Sequence, residues 1–443
     1  MTTATTARAP LPGPYLLWLA GAQAGLLGDA ALYFALGWAA SAHGGGAAGL
    51  VLTAITVPRT VLVLLGGAVA DRFGARRVML AGDAVMLVAT AALAVAVGGR
   101  GTPLWLLVAA AGVIGTVDAF YLPASGSMPR RLVPVDGLPR ALALRQAGGQ
   151  SAALLGAPLG GLLVAVGGFA GAAVADAVSF GVVLLVLLRV RPREDAAGPA
   201  APSGLLREAA SGVRLALRDP LLRAALLLTG AAAGGLLPVV SLLGPLLARA
   251  HGWTSGTAGL VAGGQAAGVL AVASLVAWRG ALPRAGVGAA AGLCTASVGI
   301  ALLALSPVPA VAVAGSAVTG VGSGLFACHL GPLVLGGAPA SHLSRVQALL
   351  TLVQSVALVL ANGLLGLLAD RGGAAPAMLV CAVASGAAGL VALVTRTFRR
   401  ACPGDVSGPV RRRPAPLEAH LPAPSPPGRV RRWGRSGGEW RRR

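Results

Sequence analysis

The chain has 443 residues, 56% of them hydrophobic and only 11% charged, well below the roughly 25% of charged residues in a soluble domain. It carries a formal net charge of +21 without a single lysine, and its arginines gather in loops and in the C-terminal tail. Basic residues placed in that way orient a membrane protein, so a nucleic-acid partner is not expected.

Apolar runs recur about every 25 to 35 residues, each long enough to cross a roughly 30 Å hydrocarbon core at about 1.5 Å per residue. They are continuous rather than alternating, which excludes a transmembrane β-barrel. The polar stretch 1–14 carries no convincing cleavage site, so the first apolar run is expected to remain as the first span. The first six spans are placed at about 15–40, 47–70, 77–97, 103–128, 142–166 and 169–188. A polar Arg/Pro/Ala-rich interval follows, in which Leu205, Leu206, Val213, Leu215 and Leu217 alternate with arginines. That pattern suits a short amphipathic helix on the membrane face, or for its first part a disordered linker. Six more spans fit at about 221–248, 255–278, 285–305, 307–336, 346–369 and 374–395, and the basic tail from 397 has no apolar periodicity.

The expected fold is therefore an all-α polytopic membrane protein with twelve transmembrane helices. The expected domains are a cytoplasmic N-terminus (1–14), a six-helix bundle (15–190), a cytoplasmic linker (191–220), a second bundle (221–396) and a disordered cytoplasmic tail (397–443). Loops after even-numbered spans hold nearly all the arginines, whereas the others hold only Arg100, Arg249 and Arg371. Both termini are thus expected in the cytoplasm, with the protein in the cell membrane. The halves also look duplicated. Gln150-Ser151 in span 5 matches Gln354-Ser355 in span 11, and Ala48-Gly49-Leu50-Val51 matches Ala258-Gly259-Leu260-Val261 at a similar offset.

The turn after span 2 reads Gly67-Ala68-Val69-Ala70-Asp71-Arg72-Phe73-Gly74-Ala75-Arg76-Arg77. Gly67 and Gly74 permit close approach and a tight turn, and Asp71 is expected beside the start of span 3, where unpaired N–H groups favour an anion. Arg72, Arg76 and Arg77 can reach carboxylates or lipid phosphates. This turn resembles the signature of the major facilitator superfamily of secondary transporters. The resemblance extends over about residues 15–396 and implies two pseudo-symmetric bundles with the substrate between them. In that family the motif latches the halves in one state; here Ala75 stands where the family commonly has a basic residue. The alternative is a positive-inside turn and nothing more. Gly156-Ala157-Pro158-Leu159-Gly160-Gly161 in span 5 resembles the motif of proton-coupled exporters, with Ala157 in place of a glycine. Ordinary small-residue packing would explain Gly156, Pro158, Gly160 and Gly161 equally well. Gly28-Asp29 in span 1 and Phe120-Tyr121-Leu122-Pro123-Ala124 in span 4 resemble the macrolide-efflux and enterobactin-exporter branch.

Ionisable residues inside spans are costly and mark function by default. Asp29, Asp118, Asp176 and Arg59 are the candidates, with Gln150 as a further polar residue for a cavity. Depth along the helices pairs Asp29 with Arg59, Asp118 lying nearer the cytoplasm and Asp176 nearer the outside. Paired, Arg59 would hold Asp29 ionised; unpaired, Asp29 could carry a proton. A static buried ion pair satisfies the same residues. Gln265, Gln354, Asn362 and His329 either line a cavity or bond between helices. Aromatics amount to 4%, which does not favour a cation-selective aromatic cage. The four cysteines and five histidines are scattered, so no metal or cofactor is expected.

These features together give a monomeric, proton-coupled exporter of an amphipathic small molecule, working by alternating access in the lipid bilayer. An importer or facilitator of the same fold, and a non-transporting receptor or scaffold, remain as rivals. No catalytic cluster indicates an enzyme, and a chain without lysine has no Gly-x-x-x-x-Gly-Lys ATP-binding loop.

Overall fold

The computed structural model describes residues 11–191, 220–280, 282–337 and 343–395. The expected amphipathic segment around 205–218 and the tail from 397 lie outside the described residues. Within them the chain is helix after helix, as lipid requires of a backbone that must satisfy its own N–H and C=O groups. The elements are α1 (Gly13–Ala40), α2 (Gly45–Phe73), α3 (Ala75–Arg100), α4 (Leu104–Leu132) and then one continuous stretch, Leu138–Arg189. A second set comprises α7 (Pro220–Ala250), α8 (Ser255–Arg279), α9 (Ala285–Ala304), α10 (Pro309–Gly337), α11 (Leu343–Gly372) and α12 (Ala374–Val394). Within α7, Pro238 is followed directly by a π-helical turn, Val239–Leu243.

Eleven of these helices are long and apolar enough to cross a membrane. The 52-residue stretch counts once among them, yet at about 78 Å it is more than twice a bilayer core. It breaks at Gly168, whose φ of 64° is open to glycine and strained for other residues. Contacts with α1 show the fold-back. On one arm, Ala141 accepts a hydrogen bond from the Tyr15 hydroxyl at 2.5 Å and Gly160 packs on Ala31, so this arm runs parallel to α1. On the other, Ser179 abuts Gly28 and Val186 abuts Gly21, so it runs back. The stretch is two crossings, α5 (138–167) and α6 (169–189), and the total among the described residues is twelve.

Helices α1–α6 pack as one bundle and α7–α12 as another. Their faces are studded with small residues that let backbones touch, as expected where lipid removes the hydrophobic drive between helices. A Cβ on Gly66 would strike the carbonyl of Ala119, and one on Gly299 would strike Thr319. Large apolar side chains such as Val61, Val88, Trp105, Leu227 and Val383 are exposed, a surface that calls for lipid.

The face on which α1 begins is called here the near face, and the opposite one the far face. The bundles meet close to the far face. There Gly45 lies against Gly366, Gly49 against the Asn362 carbonyl, and Gly161 against Gly259.

Three boundaries differ most from the sequence expectation, one of them the start of α5, which begins at Leu138 rather than about 142. Helix α2 continues to Phe73 and α3 starts at Ala75, so the charged turn is the single residue Gly74, with φ 87°. Asp71 therefore sits in the last turn of α2 rather than beside the start of α3. Helix α4 runs to Leu132, absorbing Pro129, Arg130 and Arg131 instead of stopping before them.

Candidate functional site

Inside the first bundle lies a cavity of about 280 Å³. Helix α1 lends it Trp18, Gln23, Asp29 and Tyr33, the last two one turn apart on the same face. Helix α2 adds Arg59, directly after the intrahelical Pro58, and α3 adds Asp83. Helix α4 presents Asp118 and Tyr121, and α5 supplies Arg145. Gly82 makes room for the Tyr121 ring, since a Cβ there would lie 3.1 Å from the ring carbon Cδ2.

One corner is satisfied internally. The Tyr33 hydroxyl donates to Asp118 Oδ2 at 2.6 Å, and Arg59 Nη1 lies 3.9 Å from the same oxygen. Arg59 thus pairs with Asp118 and not with Asp29, which corrects the depth argument from sequence. Ending span 4 at Met128 placed Asp118 about 6 Å too near the near face. With α4 reaching Leu132, Arg59 and Asp118 each sit midway along their helices, about 21 Å of rise from either end.

Among the described residues Asp29 makes no hydrogen bond or ion pair, and it shares the cavity lining with Asp83 and Asp118. Asp176 is buried in α6 against Gly28. Its Oδ1 lies 3.4 Å from the Ser179 hydroxyl, and its Oδ2 is buried without a partner among the described residues. Gln150 is exposed on α5 and is not part of the cavity lining, although Gly149 and Ala153 beside it are.

Sequence reasoning missed Asp83. It is fully buried, and although the Tyr121 hydroxyl faces it, neither carboxylate oxygen has a hydrogen bond of ordinary geometry among the described residues. The signal was present: Gly82-Asp83 interrupts an apolar run just as Gly28-Asp29 does. The aromatic reading also changes, because Trp18, Tyr33, Tyr121 and Phe180 converge on this one cavity despite their low overall number.

The other singled-out residues are structural in part. At the near face, Arg76 closes the end of α6: its Nε donates to the carbonyls of Leu187 and Val190 at 3.0 Å, and Nη2 to that of Leu188 at 3.1 Å. A cation on the carbonyl end of a helix complements its dipole. Asp71, Arg72 and Arg77 are exposed, Arg72 lying over Phe73, and Gly67 has open space around it. In α5, Gly156 and Gly160 pack on Ala30 and Ala31 of α1, while Pro158 and Gly161 meet Gly263 and Gly259 of α8. The motif therefore faces both its own bundle and the other. His329 is a structural bond, its Nε2 accepting from the Leu282 N–H at 3.0 Å.

At the far face the second bundle grips the α1–α2 turn from both sides. Arg249 of α7 donates to Ser41 Oγ at 2.7 Å and to the Trp38 carbonyl at 2.8 Å, its guanidinium 4.3 Å from the Trp38 ring centre. Asp370 of α11 accepts from the N–H groups of Gly45 and Gly46 at 2.5 and 2.8 Å. A cation meets the end of α1 and an anion the start of α2, each matched to its helix dipole. The sequence held a sign of this. Gly366-Leu367-Leu368-Ala369-Asp370-Arg371-Gly372-Gly373 repeats the Gly67–Gly74 pattern of Gly, Ala-Asp-Arg and Gly, and Gly373 repeats its positive φ, at 88°.

The family profile described as Major Facilitator Superfamily matches residues 17–362. The chain belongs to that superfamily. It is a multi-pass membrane transporter of the major facilitator type. Among solved structures, this superfamily member is similar to a point mutant of the nucleoside transporter NupG. That match has a TM-score of 0.70 and 12% identity over 86% of this chain and 99% of the other. A bacterial homolog of the human lysosomal transporter Spinster, inward-facing and occupied, gives 0.68 and 13% over 85% and 96%. A POT family transporter in complex with a thioalcohol-conjugated peptide gives 0.67 and 13% over 85% and 95%. At such identities the likeness concerns the fold. A sequence comparison with curated proteins returns no match.

Proposed function

We propose that this protein is a proton-coupled secondary transporter that exports an amphipathic small molecule by alternating access, moving its substrate without converting it. The observation that carries the reading is Asp29, a carboxyl deep in the first bundle that no cation or hydrogen bond among the described residues commits to one charge state. Beside it, Asp118 is held by Arg59 and Tyr33. A free acid next to a fixed one can take up and give back a proton without dismantling the bundle.

Arginine counting puts the near face in the cytoplasm of a cell membrane. On that orientation the conformation is inward-facing, its outer side closed by Arg249 and Asp370. In the opposite state, Asp71 at the end of α2 takes the reciprocal role toward α11 and closes the inner side. The arm of α5 that touches α8 at Gly161 is the pivot between the two. A single chain contains both bundles and the cavity, so a monomer suffices.

The test is a growth and accumulation screen of cells with and without the protein, repeated with Asp29→Asn. Loss of export or of its pH response in the variant supports the assignment, and an unchanged response removes Asp29 from the mechanism. Flux in inside-out vesicles under an imposed proton gradient separates export from import or facilitation. No flux under any gradient would point to a receptor or scaffold.

A further inference from the structure

The cavity is unequally charged. Asp29, Asp83 and Asp118 line it and Asp176 stands behind Gly28, against the two guanidiniums of Arg59 and Arg145. Each cation has one polar neighbour among the described residues. Arg59 pairs with Asp118, while Arg145 donates from Nη2 to Ser125 Oγ at 3.3 Å and lies 6.0 Å over the Trp18 ring. Neither forms an ion pair with Asp83 or Asp29 among the described residues.

The unmet hydrogen-bonding capacity has the same sign. Asp83 is fully buried and borders the cavity; the Tyr121 hydroxyl faces it, yet neither carboxylate oxygen has a hydrogen bond of ordinary geometry among the described residues. Gln23 Oε1, another lining atom, is also buried and unpartnered. Buried acceptors left unmade are costly, so a binding partner that brings N–H donors and positive charge recovers what the empty geometry forgoes. The apolar part of the wall is aromatic. Tyr33 and Tyr121 are half-buried at the cavity and Trp18 and Phe180 border it as buried residues, an aromatic lining against which a hydrocarbon body can rest.

We propose that the cavity selects a protonated amine on a compact apolar or aromatic body, its N–H groups bonding to Asp83 with Asp29 as the neighbouring countercharge. This rests on the reading of the cavity as the substrate site. Asp118, already held by Tyr33 and Arg59, stays out of the direct contact.

Three probes of matched shape and different charge test the idea: 4-phenylbutylamine, 4-phenylbutanol and 4-phenylbutanoate. Each is titrated calorimetrically into the full-length protein in lipid nanodiscs near neutral pH. The amine is expected to bind about tenfold or more tightly than the alcohol, the scale of one charge-assisted hydrogen bond, and the carboxylate more weakly still. Asp83→Asn should erase that preference by weakening amine binding more than alcohol binding. If Asp83→Asn does not elute as a folded protein, Asp29→Asn is read in the same titration and should weaken amine binding severalfold. Equal binding of amine and alcohol, tighter binding of the carboxylate, no binding of the amine, or an unaltered preference in the variants overturns the proposal. The two readings fail separately. An amine bound with preference but unmoved by a proton gradient in vesicles retires proton-coupled transport and leaves the cation site. Compounds exported by cells while the amine binds no better than the alcohol do the reverse.

Discussion

The grip of Asp370 on the start of α2 lends itself to a quantitative test, because it joins the bundles through two backbone donors and one side chain. Asp370→Ala leaves the N–H groups of Gly45 and Gly46 to water. An N-terminal cap contributes about 1 kcal/mol, and an exposed charge at a helix terminus adds about 0.5 kcal/mol. The sum of about 1.5 kcal/mol is a shift of roughly tenfold in the balance between far-face-closed and far-face-open forms. Spin labels on Ala42→Cys and His251→Cys would report it, since both positions are exposed and sit on facing turns of the two bundles. The background would lack Cys294, Cys328, Cys381 and Cys402. Pulsed dipolar spectroscopy in nanodiscs should show one short distance with Asp370 present and a growing long-distance population in Asp370→Ala. Asp71→Ala should move the same distribution the other way. A distribution unchanged by Asp370→Ala would refute the reasoning, because the carboxylate would then be replaceable by water at no cost.

The glycine contacts separate packing from gating. Gly161→Val places a Cβ 2.6 Å from the Ser255 carbonyl oxygen and 3.0 Å from Gly259 Cα, so it should wedge α5 from α8 and lengthen the same spin-label distance. Gly156→Val clashes with Ala30 inside the first bundle and should lower Tm without moving that distance. Gly66→Ala drives a methyl into the Ala119 carbonyl and should cost about 1–3 kcal/mol, read as a lower Tm in detergent. Arg76→Ala strips three carbonyls at the end of α6 of their donor; about 1–2 kcal/mol of local stability should go, with faster amide exchange around 186–190.

How far the sequence reached is clearest at Arg59. Its depth was legible, because helix rise converts residue number into distance. Its partner was not, because that depends on where α4 stops and which way each helix face turns. The Pro129-Arg130-Arg131 cluster looked like a terminus and proved to be the last turn of a helix. Asp83 is legible by the same rule as Asp29, an acid after a glycine within an apolar run. Asp370 lay in an arginine-poor loop where topology reasoning has no reason to look, although its repeated pattern was visible.

Hydropathy by itself determined an all-helical membrane protein with twelve expected spans, matched by twelve helices among the described residues, while short repeated motifs pointed to two related halves. Lipid imposes that reading segment by segment, since each helix must be apolar along its length and must satisfy its own backbone. Tertiary packing alone decided that Asp118 takes Arg59 while neither Asp29 nor Asp83 has an ion pair among the described residues, and that the halves are clasped at one face. Such pairings depend on rotation and neighbour choice among helices of nearly equal greasiness, and a one-dimensional pattern of hydrophobicity carries no angle.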